Sequence, residues 1–336
     1  MPKAMPTVHD VARLAGVSRQ TVSNVLNAPE RVRAATRERV MSAVAELGYR
    51  PHASARRLRT GRAATIAARL DPFGGGISGA VLDRFLHALT QTAEAKGLTV
   101  MLYTATDAEH EIRQFQRLID GAVVDAFVLA STYAGDPRTE WLIAHGQRFV
   151  TFGRPWGIAD PADPAHLWVD VDGRAGVAEA VRKLRAAGAE RVGFLGWPAG
   201  SGTGDERRAG WADALEAAGV GRRQRDALSV AAEDSVAEGR EATRRLLAQA
   251  SALDAIVAAS DTLALGALME TRGAVRVVGF DNTPVAEAIG FSSIDQRVDE
   301  VAEAALELLE AGAAAPAGTH RLIRPRVILR ASRLFP

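Results

Sequence analysis

Cysteine is absent from this 336-residue sequence, which excludes disulfide bonds, cysteine-zinc sites, iron–sulfur clusters and thiol nucleophiles together. No apolar run approaches the roughly 18 residues that a membrane-spanning helix needs. The first ten residues lack the apolar stretch of a signal peptide. Lysine occurs only three times, so basic charge is almost entirely arginine. These absences predict a cytoplasmic protein with no membrane segment.

The net charge of +1 hides an uneven distribution of charge along the chain. Residues 1–62 hold twelve lysines and arginines and four acidic residues, a charge of +8, which leaves −7 for the remainder. A chain of this length has room for about two domains. A small basic part joined to a larger acidic part predicts a polyanion binder with a separate second domain.

The first fifty residues carry the pattern of three short helices. Thr7 and Asp10 have the spacing of a capping box, and apolar residues follow at helical intervals until Gly16. Ser18 is a suitable N-cap for a second helix, and a third spans roughly 34–47. Two short helices joined by a turn that contains glycine are typical of a helix-turn-helix.

The second helix has polar side chains near its start, where a DNA-reading helix enters the major groove. They are Arg19, Gln20, Ser23, Asn24 and Asn27. Arginine can form two hydrogen bonds with guanine, and glutamine or asparagine can do so with adenine. A solvated helix face is the alternative, but the helix-turn-helix and its positive charge favour base readout.

A basic, alanine-rich segment at 50–61 follows the third helix. Pro51 suits the first position of a helix, but about two turns are marginal without support. We therefore expect this segment to be helical only when DNA and a partner chain support it. Its single large apolar residue, Leu58, could dock on the rest of the chain or enter a minor-groove step and kink DNA.

Residues 7–18 and 21–27 resemble the DNA-binding head of the LacI/GalR (lactose-repressor) family. The stretches 36–40 and 47–51 continue the resemblance, which extends through the hinge to Leu58. It implies a dimer that binds a pseudopalindromic operator, with the hinge leucine wedged into the centre of the site.

The resemblance and the pattern together assign DNA contacts within the head and hinge. The candidate residues are Thr7, His9, Ser18, Arg19, Gln20, Thr21, Ser23, Asn24, Asn27, Arg37, Ala55 and Leu58. The sequence departs from the family at Arg33, where a small residue such as serine is usual. This departure weakens the expectation of a side-chain cap on the third helix, but it does not change the assignment.

Short apolar runs alternate with helical patterns from Thr65 onward. The predicted strands are 65–70, 98–104, 126–130, 148–152, 166–170, 191–196, 226–230, 254–258, 275–280 and 324–330. The predicted helices are 79–96, 109–120, 138–145, 174–187, 205–218, 235–250, 262–271 and 297–311. This alternation is typical of parallel, doubly wound sheets, and its length favours two lobes.

The sequence thus predicts an α/β protein: a small all-α helix-turn-helix head and a two-lobed, doubly wound parallel-sheet body. The predicted divisions are a head at 1–49, a hinge helix at 50–61 and a body at 62–336, with lobe 1 at about 62–160 and 294–322 and lobe 2 at about 161–293 and 323–334. The proline-rich stretch 155–164 and the segment near 290–296 are the predicted crossings. The family resemblance extends over the body and implies a periplasmic-binding-protein-like fold with three crossovers.

Ligands of such folds bind at the carboxyl ends of strands, in the cleft between lobes. The candidate effector-binding residues are Asp71, Phe73, Arg154, Trp197, Arg207, Asp261, Asp281 and Gln296. The resemblance implies that Arg207 points into the cleft and that Asp281 accepts sugar hydroxyls. Alternatives stay open for two residues: Arg207 could form a salt bridge at a helix start, and Asp261 could cap a helix.

The sequence gives little support for an enzyme active site. The G-x-G-x-x-G pattern at 74–79 alone suggests a dinucleotide site, but the next predicted strand, 98–104, contains no acidic residue. The seven histidines are scattered, and there is no G-x-S-x-G motif. We therefore expect no catalysis, no cofactor and no metal.

We interpret the chain as a transcriptional repressor of sugar-use genes that a small carbohydrate effector releases from double-stranded operator DNA. A ligand that acts as corepressor, or a non-sugar metabolite, is the alternative. A solute-binding protein and a nucleotide-dependent enzyme are less favoured. In the family that the chain resembles, tetramers carry an extra C-terminal heptad helix. No heptad region follows the last predicted strand here, so the resemblance implies a homodimer.

Overall fold

The computed structural model describes residues 6–49, 63–71, 77, 79–157, 163–250, 252–312 and 320–330. The chain divides into two compact units, Met1–Ala63 and Ala64–Pro336. The predicted hinge, with Ala55 and Leu58, and the candidate cleft residue Phe73 lie outside the described residues.

Three helices form the first unit, and local sequence sets where they begin. They are α1 (Val8–Ala15), α2 (Arg19–Asn27) and α3 (Ala34–Leu47), with a 3-10 turn at Pro29–Arg31. A capping box starts α1, because the Thr7 backbone N–H donates to the Asp10 carboxylate at 3.0 Å and the Thr7 side chain accepts from the Asp10 backbone. Ser18 Oγ accepts from the Thr21 backbone N–H at 3.0 Å and caps α2. At Arg33 no side chain caps α3, in keeping with the unusual residue there.

A single apolar core holds these three helices together. Its buried residues are Val11, Ala12, Ala15, Val22, Val25, Val40, Ala43 and Tyr49. Gly16, in the left-handed conformation that suits glycine, turns the chain between α1 and α2. The predicted helix-turn-helix is therefore confirmed.

The second unit alternates strands and helices. Its strands are β1 (Thr65–Arg69), β2 (Thr99–Tyr103), β3 (Ala126–Ala130), β4 (Phe149–Phe152), β5 (Leu167–Val171), β6 (Val192–Gly196), β7 (Ser229–Ala231), β8 (Ala255–Ala258), β9 (Arg276–Phe280), β10 (Ser292–Asp295), β11 (His320–Ile323) and β12 (Arg326–Ile328). Its helices are α4 (Gly79–Ala95), α5 (Ala108–Asp120), α6 (Pro137–Ala144), α7 (Gly173–Ala186), α8 (Thr203–Ala217), α9 (Arg222–Ala227), α10 (Val236–Gln249), α11 (Asp261–Thr271), α12 (Pro284–Ile289) and α13 (Val298–Ala311).

The strands form two six-stranded sheets, one for each lobe. The order is β11-β5-β4-β3-β1-β2 in the first and β12-β10-β9-β8-β6-β7 in the second. Strand pairs are parallel, except that β12 lies antiparallel to β10. Central strands such as β6 and β8 are buried along their whole length, as expected when helices cover both faces of a sheet. The predicted α/β fold with two parallel sheets is confirmed.

The predicted lobe boundary near 160 is wrong. Strand β5 pairs with β4, with Val150 opposite Leu167, so the first lobe continues to Val171 instead of ending at 160. The strands on either side of the stretch 155–164 therefore belong to the same sheet, and the crossing predicted there is wrong. Strand β10 pairs with β9, so the chain returns to the first lobe after Asp295, within the predicted crossing near 290–296. The physical reason is that strand pairing, and not loop composition, decides which sheet a strand joins.

The remaining differences between the predicted and the observed elements concern short strands and helices. The predicted strand 226–230 is wrong at its start, because helix α9 extends to Ala227 and β7 begins at Ser229. The predicted strand 324–330 contains only β12, whereas β10, β11 and α12 were not predicted as elements. Within the described residues, no helix is long and apolar enough to cross a membrane.

Candidate functional site

Helix α2 has a polar surface at its first two turns. Arg19 and Gln20 are exposed, and Asn24 is half-buried. Gln20 Nε2 donates to Asn24 Oδ1 at 3.0 Å, so the two amides are held as a pair one turn apart. Asn27 Nδ2 instead donates to the Ser23 carbonyl at 2.6 Å. The first turn therefore offers the groups best placed for base readout.

The other candidate DNA-binding residues divide between helix caps and open surface. Thr7, Ser18 and Thr21 take part in the caps of α1 and α2, where they fix the helix starts. His9 and Arg37 are exposed on α1 and α3.

Replacing Gln20 by alanine is expected to weaken operator binding by about 1–3 kcal/mol, because one side chain that can form two hydrogen bonds to a base is lost. The loss should relax the preference at one base position in each half-site. Binding to a library of operator variants measures this. Uniform weakening across all variants would show that Gln20 contacts the DNA backbone instead.

In the second unit, a cleft lies between the two sheets, at the carboxyl ends of their strands. Five of the predicted effector residues line it: Arg154, Trp197, Arg207, Asp281 and Gln296. Arg154 follows β4, Trp197 follows β6, and Asp281 follows β9, so both lobes contribute. Strands from separate parts of the chain thus bring these side chains together.

Arg207 and Asp281 form a buried ion pair at the second lobe's side of the cleft. Arg207 Nη1 lies 3.7 Å from Asp281 Oδ1, and both side chains are at most 5% exposed. Gln296 Nε2 donates to Asp281 Oδ1 at 2.6 Å, and Arg207 Nη1 donates to the Ala259 carbonyl at 2.5 Å. The guanidinium also lies 3.6 Å from the centre of the Phe280 ring. Arg207 on α8 is therefore held from three sides, which excludes an exposed helix-start salt bridge.

Burial controls the charge of this pair. Loss of hydration raises the pKa of Asp281 to about 7, the Arg207 charge opposes the rise, and the neighbouring Asp261 charge adds to it. Loss of hydration also lowers the pKa of Arg207. Burial thus favours the protonated form of Asp281 more than it would be favoured in an exposed carboxyl group.

The first lobe supplies a second cluster of similar composition. Arg154 Nε donates to Asp170 Oδ2 at 2.6 Å, and its guanidinium lies 4.9 Å from the Trp156 ring centre. In the second lobe, Arg207 lies 5.1 Å from the Trp197 ring centre. Each lobe therefore presents a tryptophan, an arginine and an aspartate to the cleft.

Three hydrogen-bond donors of the cleft have no protein partner. They are Trp156 Nε1, Trp197 Nε1 and Arg207 Nε, all buried atoms. A buried donor without a partner costs about 1–3 kcal/mol. These donors belong to residues that line the cleft, and acceptor oxygens of a ligand would satisfy any of them that they reach.

Two predicted effector residues lie elsewhere. Asp261 is fully buried and links α11 to two distant parts of the chain. It accepts hydrogen bonds from the Thr283 backbone N–H at 2.7 Å and from Ser293 Oγ at 2.5 Å. It does not cap α11 either, since Ser260 Oγ does so. Asp71 forms an ion pair with Arg69 and is not among the residues that line the cleft.

Sequence reasoning missed several residues of the cleft. Trp156, Asp170, Glu206 and Asp234 line it, as do the small polar residues Ser131, Thr132 and Thr203. Asp170 could have been found, because it lies near the end of a predicted strand. Trp156 followed a predicted strand but gave no signal that separated it from Trp211, whose Nε1 donates to the Val192 carbonyl inside the second lobe.

Comparisons with known proteins agree with both units. Residues 7–52 match the family "Bacterial regulatory proteins, lacI family", and residues 71–317 match "Periplasmic binding proteins and sugar binding domain of LacI family". Among curated relatives, the HTH-type transcriptional regulator CelR of Thermobifida fusca is 34% identical over 84% of each chain. The HTH-type transcriptional regulator RafR of Escherichia coli is 30% identical over 82% of this chain and 81% of its own.

Solved structures give the same result for the fold. A transcriptional regulator CelR–cellobiose complex is 28% identical and has a TM-score of 0.70, with 97% of this chain and 99% of that chain covered. A lac repressor dimer bound to operator superposes with a TM-score of 0.78 at 22% identity over 98% of this chain and 99% of that chain. From the matched head and the matched body together, the chain belongs to the LacI family of sugar-responsive, DNA-binding transcriptional regulators, which are not enzymes.

Proposed function

We propose that this regulator is a repressor that binds a pseudopalindromic operator as a homodimer and releases it when a small carbohydrate enters the cleft. It acts in the cytoplasm, where it reaches DNA. The observation that carries the effector assignment is the buried Arg207–Asp281 pair beside three donors that lack partners.

The chemistry of the cleft matches a polyhydroxylated ring. Each hydroxyl of a sugar donates one hydrogen bond and accepts others, so it can bind a carboxylate and an indole N–H at the same time. The apolar C–H face of a sugar ring packs against an aromatic ring, for which Trp197 is the candidate. We assign direct contacts to Arg154, Trp197, Arg207, Asp281 and Gln296. Because CelR was solved with cellobiose, cellobiose is the first effector to test.

The switch follows from the position of the cleft between two lobes. A ligand that contacts both lobes favours one arrangement of them, by no more than the difference between its affinities for the two arrangements. We propose that this arrangement separates the two hinges of the dimer, so that Leu58 leaves the minor groove. A corepressor would favour the opposite arrangement, so the sign of the effect on operator affinity distinguishes the two.

Two measurements test the proposal. A thermal-shift screen of mono- and disaccharides detects binding, because a ligand of the folded state raises Tm. Fluorescence anisotropy of labelled operator then gives the affinity with and without the sugar that binds. We expect weaker operator binding with sugar; stronger binding would make the sugar a corepressor. Sedimentation at micromolar concentration should give twice the chain mass, and a tetramer would contradict the homodimer.

Effector affinity is expected to rise as the pH increases from about 5.5 to 8. Hydroxyl donors bind the ionised form of Asp281 better, and in the empty cleft this form becomes the main one only above its pKa of about 7. Affinity should therefore fall below pH 7, by at most about tenfold per pH unit. Titration calorimetry across this range measures the profile. Asp281→Asn should have a flat profile, and an equally flat wild-type profile would contradict the expectation.

A further inference from the structure

The charged side chains that line the cleft also bear on which class of sugar it binds. Four carboxylates line it, from Asp170, Glu206, Asp234 and Asp281, against two guanidinium groups. Among the described residues that line the cleft, there is no lysine or histidine. The cleft therefore has a formal surplus of negative charge, although it belongs to a protein whose net charge is close to zero.

Both guanidinium groups are already neutralised by the protein. Arg154 donates to Asp170 at 2.6 Å, and its Nη1 lies 3.6 Å from Glu206 Oε2. Arg207 lies beside Asp281 and donates to the Ala259 carbonyl. To pair with a guanidinium group, an anionic ligand would have to separate one of these pairs and leave a carboxylate without its partner, which is costly where the pair is buried.

The donors without partners are also compatible with an uncharged ligand. The indole N–H groups of Trp156 and Trp197 carry no net charge, and Arg207 Nε belongs to a guanidinium group that already faces Asp281. Neutral oxygen atoms satisfy such donors. Hydroxyl groups also donate to the four carboxylates, whereas a fully ionised phosphate or a second carboxylate only accepts.

We propose that the cleft selects uncharged sugars and rejects phosphorylated sugars and sugar acids, with Glu206 as a specificity-determining residue. This proposal rests on the proposed function and refines it. Glu206 lies in the first turn of α8 at the cleft, its side chain is 29% exposed, and its nearest cationic partner is 3.6 Å away. Of the three cleft carboxylates that pair with these guanidinium groups, it has the most exposed side chain, against 9% for Asp170 and 4% for Asp281. Discrimination by unpaired or repelling charge is a general route to specificity.

Matched ligand pairs test the proposal. Binding of glucose, galactose and cellobiose is measured by titration calorimetry together with glucose 6-phosphate, galactose 6-phosphate, glucuronate and galacturonate, and inorganic phosphate serves as the simplest anion. We expect at least one neutral sugar to bind, its charged counterpart to bind at least about 100-fold more weakly, and inorganic phosphate to give no signal. The penalty on the charged counterpart should shrink as salt is added, because part of it is long-range repulsion.

A substitution measures the contribution of Glu206 to this selectivity separately from that of the other cleft residues. In Glu206→Gln, the ratio of the affinity for a neutral sugar to the affinity for its charged counterpart should fall about tenfold. The reason is that one repelling charge is removed with little change in shape. Glu216→Gln is the matched control: it lies on the same helix, is 69% exposed and pairs with Arg225 outside the cleft. The control should keep the wild-type ratio.

The other outcomes distinguish failure of the charge selection from failure of the sugar effector. If a charged sugar binds as tightly as its neutral counterpart, or if Glu206→Gln and Glu216→Gln have the same ratio, the charge selection is wrong and the sugar effector stands. If neither neutral nor charged sugars bind, the sugar effector and the charge selection fail together.

Discussion

Asp281→Ala is expected to produce a regulator that still binds operator but no longer responds to its effector. The substitution removes a carboxylate that accepts from Gln296 and faces Arg207 across 3.7 Å. Loss of one charged hydrogen bond to the ligand costs about 1.5–3 kcal/mol, or roughly a ten- to hundredfold loss of effector affinity. Arg207 would also lose its counter-charge and draw water into the cleft. Operator affinity without effector should be nearly unchanged, because the recognition helix belongs to the other unit.

Two further variants make this result specific. Asp281→Asn keeps an oxygen that can accept from Gln296, so it separates the effect of the charge from the effect of shape. Asp226→Ala removes an exposed carboxylate from α9 of the same lobe and should behave like wild type. Calorimetry with the sugar and anisotropy with the operator give both affinities. If Asp281→Ala binds the sugar with wild-type affinity, Asp281 is not part of the effector site.

Gly210→Val is expected to have the largest effect on stability. Helix α8 crosses α7 so closely at this residue that a Cβ atom on Gly210 would lie 2.1 Å from the Arg174 carbonyl oxygen. The backbone of α8 fixes the position of the Cβ atom, and the carbonyl oxygen belongs to the backbone of α7, so a rotamer change cannot relieve the overlap and the helices would have to separate. Overpacking costs about 1–3 kcal/mol or more. The midpoint of thermal unfolding should fall by roughly 5–10 °C.

The same substitution should also weaken effector binding. Arg207 lies one turn before Gly210 on α8, and Gly173 at the start of α7 lies against the Arg207 side chain. Separation of α7 from α8 would therefore displace the guanidinium from the cleft. Gly221→Val is the control, because a Cβ there meets no atom within 4 Å and its φ of −66° suits any residue. An unfolding midpoint of Gly210→Val equal to that of Gly221→Val would contradict the close packing of α7 on α8.

Local features were predicted well from the sequence. The caps at Thr7 and Ser18 depend on residues within three positions, so their signal is contained in a short window. The central strands were predicted because both faces are buried, which gives continuous apolar runs. The helix-turn-helix and the sheet class followed from these features.

Features that depend on distant pairing were not predicted. Strand β5 has the same apolar pattern whichever sheet it joins, and only its pairing with β4 assigns it to the first lobe. The edge strands β7 and β12 have three residues each, too few to set the bounds, so the predicted strands 226–230 and 324–330 overlap them but differ at their ends. Asp261 lies at a strand-to-helix junction, where the local sequence is the same for a helix cap, a ligand contact or a buried structural residue. The hydrogen bonds from Thr283 and Ser293, which are distant in sequence, show that Asp261 is a buried structural residue.

One measurement tests the central claim, that occupation of the cleft controls operator binding through Arg207 and Asp281. It is the affinity for operator of wild type and of Asp281→Ala, measured by anisotropy at increasing concentrations of a sugar that binds the wild-type protein. We expect sugar to release wild type from operator and to leave the variant bound at concentrations at least about tenfold higher. Equal release of both proteins, or no effect of the bound sugar on wild-type operator affinity, would contradict the claim.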